Sequence, residues 1–215
     1  MEDRFDQFDL VEIEGHLAEY AAACLEFVSW ASEAVEPEGD EGLEFPWYAS
    51  FVALAGWGRV TVHRAILEDH SHTLNGLTKD LLRQAGEVVD LWLSESYNQV
   101  ASYLDLACPF LLATYRNSYL VGAARSELGW SFDDFIEERD LLEFFLIGVG
   151  DHFPLSGFPG EILEHDCRVR ERIAELGLEA YADEYFPNRV TWFPSRFWWH
   201  HPPEQRTVHP DGLEA

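Results

Sequence analysis

Lysine is almost absent from this chain. Lys79 stands alone, and the other 13 of the 14 basic residues are arginines. They face 40 acidic residues, so the formal net charge is -26. A field of that sign repels nucleic acid and anionic membranes and attracts cationic surfaces. The densest basic group, Arg168, Arg170 and Arg172, does not form a nucleic-acid patch. It is interleaved with Asp166, Glu171 and Glu175, which offset it through helical neighbours.

Cysteine is scarce as well. Cys24, Cys108 and Cys167 make an odd count with no C-x-x-C spacing, which rules out a disulfide framework and a zinc knuckle. The expectation is three small core residues in a reducing compartment. Long hydrophobic runs are missing too. The longest, near Leu141–Val149, carries Glu143 and falls far short of the ~20 apolar residues a spanning helix needs. The start, Met1-Glu2-Asp3-Arg4-Phe5-Asp6, lacks the basic-then-apolar pattern of a signal peptide, so a cytoplasmic location is expected.

Catalytic signatures are missing in the same way. No phosphate-binding G-x-x-x-x-G-K-[ST] occurs. Gly56-Trp57-Gly58 has Thr61 where a dinucleotide fingerprint needs its third glycine. Pro154-Leu155-Ser156-Gly157-Phe158 fails at both ends as a nucleophile elbow, and neither an H-E-x-x-H nor an EF-hand loop appears. No cofactor is expected.

What is present is enough apolar surface for a core. Apolar residues make up 47% of the 215 and aromatics 14%. Acid-rich chains poor in such residues stay disordered, and this one is not poor in them. Salt adaptation would account for the acids and the missing lysine. Eight Trp and 15 Phe run against that reading. The charge is also unevenly spread. Residues 1–46 hold 14 acids and one base, residues 47–186 hold 23 acids and 10 bases, and residues 187–215 hold three of each.

Apolar periodicity predicts an all-α protein, a compact bundle of about seven helices. Leu10, Ile13, Leu17, Tyr20, Ala21, Cys24, Val28 and Ala31 mark the first helix, while Glu12, Glu19, Glu26 and Glu33 repeat every seven residues on a solvated face. A Pro/Gly-punctuated acidic linker follows from Glu36 to Pro46. Trp47 to about Asp69 reads as a helix weakened by Gly56 and Gly58, with Arg59–His63 a possible extended piece. Leu77 to about Ser94 reads as the next. A shorter one through Val100 and Leu104 ends near Cys108, and Pro109 suits the first turn of another that stops at Gly129. Ser131 is placed as an N-cap, with Asp134 three residues on and Trp130 positioned to staple against Phe135. Pro159 opens a helix through Ile162, Asp166, Val169, Ile173 and Leu176, stopped by Gly177; Leu178–Phe186 adds two turns. The domain expected is 1–186. Residues 187–215, with five Pro and Trp192, Phe193, Phe197, Trp198 and Trp199, form an irregular tail expected to pack on it.

Two chemistries fit these residues. In the first, the chain is an acidic inhibitor of the bacterial immunity-protein type. It neutralises a cationic protein partner such as a nuclease or other toxin, and needs no catalytic residue. Its binding groups would be Glu36, Glu38, Asp40, Glu41 and Glu44 on the linker, and Asp133, Glu137 and Asp140 on one face of the Ser131 helix. In the second, Glu68, His70, His72, Glu161 and His165 form a metal-dependent helical enzyme site. The Glu-x-x-His signature that usually marks such bundles is missing, and Glu near His is common by chance in so acidic a chain. Asp166 stands apart. It interrupts an apolar stripe, so it needs a partner if buried, and Arg139 or Arg170 can supply one.

Overall fold

A computed structural model describes residues 7–35, 46–116, 132–150, 152–155 and 157–176. They form five helices: α1 (Gln7–Val35), α2 (Pro46–Asp69), α3 (Gly76–Arg116), α4 (Phe132–Val149) and α5 (Phe158–Leu176). Among the described residues there is no strand, and no helix is long and apolar enough to cross a membrane. Among the described residues the fold is all-α, with five helices where periodicity suggested about seven over the whole chain. The expected turns at 178–186 and the aromatic tail lie outside the described residues, as do the Ser131 cap and the Trp130 staple.

Most of the difference in count comes from α3. It runs 41 residues through positions expected to hold two breaks. No Gly or Pro separates Ser94 from Val100, and Ser94 hydrogen-bonds back to the Leu91 carbonyl within the helix (2.8 Å). Pro109 sits inside the helix rather than at a first turn. A proline there removes one hydrogen bond and crowds the carbonyl four residues back, a cost of ~3 kcal/mol. Pro109 and Asp105 are both exposed, so water can reach the carbonyl left over. Meanwhile Val100, Leu104, Ala107, Cys108, Leu112 and Tyr115 form one buried stripe across the proline, and burying it opposes the break.

Contacts divide the chain into two units, with divisions inside α3, inside α4 and between α4 and α5. One comprises Met1–Phe110 and Leu142–Leu155, the other Leu111–Leu141 and Ser156–Ala215.

In the first unit α1 and α2 pack antiparallel. Ile13, Leu17, Ala21, Cys24, Val28 and Ala31 are all buried, while Glu12, Glu19 and Glu26 are exposed as their heptad spacing requires. Small residues bring the two helices close. A Cβ on Gly56 would lie 3.3 Å from the Phe27 ring and 3.9 Å from the Cα of Cys24. The stretch Arg59–His63 is helical, not extended. Its glycine neighbour serves tertiary packing rather than a local break. A Cβ on Gly58 would lie 1.7 Å from the Phe144 carbonyl oxygen, and one on Gly148 would lie 1.8 Å from that of Leu54. Gly58 and Gly148 are therefore a backbone-to-backbone crossing of α2 and α4. Around it Phe51 meets Phe145 at 5.0 Å, and the Arg59 guanidinium lies over Phe144 (4.9 Å) and Tyr20 (5.0 Å). Gly150, at φ +47°, ends α4 with its N–H donating to the Leu146 carbonyl (3.1 Å).

In the second unit α5 buries Phe158, Ile162, His165, Asp166 and Val169 on one face. Cys167 is exposed, contrary to its expected core position, because it lies off that stripe; Cys24 and Cys108 are buried.

Candidate functional site

Among the described residues, two buried polar clusters and one charged surface are candidates for a functional site. The first cluster ties α1 to the α2–α3 turn. Ser71, at φ 54°, reverses the chain after α2. The reversal brings His72 Nε2 and the Asn75 N–H each to 2.7 Å from the Glu14 carboxylate. Asn75 then caps α3, its side-chain oxygen accepting the Thr78 N–H at 3.0 Å. Burial raises the Glu14 pKa. The hydrogen bonds from His72, Asn75 and Thr78, with the His72 charge, outweigh that and hold it below the ordinary 4.5.

The second cluster lies within the second unit and centres on Asp166, which is 2% exposed. Arg139 meets it bidentately, and the Arg170 charge also interacts with it. Arg139 Nε lies 3.0 Å from Oδ1, and its Nη2 lies 2.9 Å from Oδ2. The Tyr115 hydroxyl also donates to Oδ1. Burial pushes the Tyr115 pKa well above 10, and the Asp166 charge adds to this, so the phenol stays a donor. The His165 ring stands edge-on to Tyr115 at 4.6 Å. His165 is 2% exposed, and neither ring nitrogen has a hydrogen-bond partner among the described residues. Its pKa is lowered, chiefly by burial, against opposing pulls from Asp166 and the Tyr115 main chain. That main-chain group acts on the ring's charge without meeting hydrogen-bond geometry.

These contacts tie the polar side chains of the cluster to one another. Asp166 is committed to an arginine and a phenol, and Tyr115 is held protonated. The buried thiols are no better suited to attack. Burial pushes Cys24 up to about 12; burial and Asp105 do the same to Cys108.

The residues considered as metal ligands are taken up separately. Glu68 pairs with Arg64 (2.7 Å), and His70 Nδ1 lies 2.8 Å from the Ile66 carbonyl. His72 pairs with Glu14, Glu161 pairs with Arg116 (2.7 Å), and His165 is buried beside Tyr115. Glu68, His70 and His72 belong to the first unit, Glu161 and His165 to the second. Among the described residues no three His, Cys, Asp or Glu side chains group as a metal-holding set.

Of the residues considered for partner binding, Glu36, Glu38, Asp40, Glu41 and Glu44 lie outside the described residues, and so do the side chains of Asp133 and Glu137. Asp140 is half-buried and engaged in an interaction of its own. The described surface shows how charge is distributed elsewhere. The exposed arginines Arg64, Arg83, Arg116 and Arg168 each pair with a carboxylate: Glu68, Glu87, Glu161 and Glu164. In the first unit the exposed carboxylates of Glu26, Asp69, Asp80, Asp90, Glu95 and Asp105 have no ion pair among the described residues. Four of those six lie on α3. Exposed apolar side chains accompany them there: Leu77, Val88, Leu91 and Tyr97. Sequence reading missed this surface because it treated α3 as separate short helices. It missed Glu14 because the partners, His72 and Asn75, are distant in sequence.

No protein-family model matches the chain, and no similar curated protein or solved structure was found.

Proposed function

We propose that this chain is an acidic binding protein that inhibits a cationic protein partner, such as a nuclease or other toxin, in the manner of an immunity protein. The observation that carries the reading is the asymmetry of surface pairing. Every exposed arginine of the described residues is already tied to a carboxylate, while carboxylates on α1, α2 and α3 are left unpaired. Exposed ion pairs contribute only ~0–1 kcal/mol each to folding, so the excess acids are not there for stability. Fixed on helices, they keep their positions when a partner arrives and lose little entropy in binding it. The acidic linker charges Glu36, Glu38, Asp40, Glu41 and Glu44 would act mainly on association rate, with Asp133 and Glu137 on the face of α4 as further contacts.

The test starts with recovery of the partner from the native host. Its affinity is then measured at two ionic strengths for the wild type and for Asp133→Lys/Glu137→Lys. Reversal should weaken binding by at least about tenfold at low salt. The difference should shrink as the Debye length falls from ~10 Å at 0.1 M to ~3 Å at 1 M. A partner whose affinity is independent of salt would overturn the reading.

A further inference from the structure

The N-terminal half of α3 carries a surface more specific than charge alone. Leu77, Leu81, Gln84, Val88 and Leu91 follow one another at steps of four, three, four and three. That spacing is the seam of a helix that packs against another helix. Here the seam is open: Leu77 is 72% exposed, Leu91 56% and Val88 37%, with Leu81 half-buried. The residues that follow seam positions on one side, Thr78, Ala85 and Trp92, are buried inside the unit. The residues that precede seam positions on the other side, Asp80 and Glu87, are exposed and acidic.

We propose that this face of α3 is a docking site for one amphipathic helix of the partner, with an apolar stripe and basic residues along one flank. The proposal rests on the cationic-partner reading above and names the surface and the kind of segment it takes. Charge complementarity decides the occupant. The Asp80 flank presents the unpaired charge: Glu87 is already paired with Arg83 at 3.0 Å, whereas Asp80 has no ion pair of its own among the described residues. A second copy fits poorly. Packed antiparallel it would set Asp80 and Glu87 against their own counterparts, and in any orientation it adds a further net charge of -26. The apolar seam supplies what a purely electrostatic contact lacks, a desolvated centre that selects one helix register.

The experiment uses the full chain and three fluorescently labelled synthetic peptides, each about three heptads long. One has a leucine seam flanked by lysine. One has the same composition in scrambled order, so the charge remains and the seam is lost. One keeps the seam with glutamate flanks. Anisotropy titration should show the lysine-flanked seam peptide binding at least about tenfold tighter than either control. Leu91→Ser should remove that preference while its circular-dichroism melt stays at the wild-type position, as a side chain that exposed allows. Asp80→Lys should weaken the seam peptide as well. If both lysine peptides bind equally and Leu91→Ser changes nothing, the α3 site is overturned while the cationic-partner reading stands. If neither lysine peptide outcompetes the glutamate one, both readings fall. Sedimentation showing a dimer that Leu91→Ser dissociates would assign the face to a second copy and overturn the proposal.

Discussion

Substituting alanine for Gly58 tests the packing of the first unit most directly. In an isolated helix the change would stabilise by ~1 kcal/mol, because glycine is the poorer helix former. Here the new Cβ would lie 1.7 Å from the Phe144 carbonyl oxygen and 2.8 Å from the Gly148 nitrogen. Both are backbone atoms of α4, so no side chain can rotate away. Ordinary contact begins near 3.4 Å, and α2 and α4 must separate by roughly the difference. That opens the Phe51–Phe145 contact and the Arg59–Phe144 stack beside it. Overpacking a core costs typically ~1–3 kcal/mol and more when backbone must move. The upper end of that range less the propensity gain leaves a net loss of about 2 kcal/mol, or roughly 1 M in urea midpoint. Gly15→Ala is the matched control. Nothing lies within 4 Å of a Cβ there, and the residue is exposed within α1, so the midpoint should rise by the equivalent of ~0.5–1 kcal/mol. Both variants are read by urea denaturation followed by circular dichroism. A Gly58→Ala protein as stable as wild type would refute the helix crossing.

The remaining predictions concern the buried polar groups. Asp166→Asn removes the charge facing Arg139 and should cost ~3–5 kcal/mol, whereas Asp166→Leu combined with Arg139→Leu should cost less than either of those two leucine changes alone; thermal melts of the four proteins decide it. His165 has a lowered pKa, so its native ring stays neutral while the unfolded chain takes up a proton below 6.5. Its contribution is full above 6.5 and is lost as the pH falls from there through the folded pKa. His165→Phe should flatten denaturation midpoints in that window, and an unchanged pH profile would count against the buried neutral ring. Glu14, also lowered, contributes fully above 4.5 and loses its contribution as the pH falls below it, so Glu14→Gln should lower the denaturation midpoint above 4.5 and flatten its fall on the more acidic limb.

Several features were legible without coordinates because they depend on local periodicity. The buried stripe of α1 and the exposure of Glu12, Glu19 and Glu26 follow from the helical repeat alone. So does the need of Asp166 for a partner, since a carboxylate in an apolar stripe cannot be buried alone. The acid excess is a matter of composition. Tertiary structure decided what depends on neighbours distant in sequence. Arg139 reaches Asp166 because α4 and α5 bring them together. His72 meets Glu14 because the turn after α2 folds back on α1. Gly58 does not break α2; it admits the backbone of α4. Pro109 does not start a helix, because a stripe buried on both sides of it keeps α3 continuous. Glycine and proline carry strong local preferences, yet each is worth only ~1–3 kcal/mol, and the packing of a buried face can exceed that.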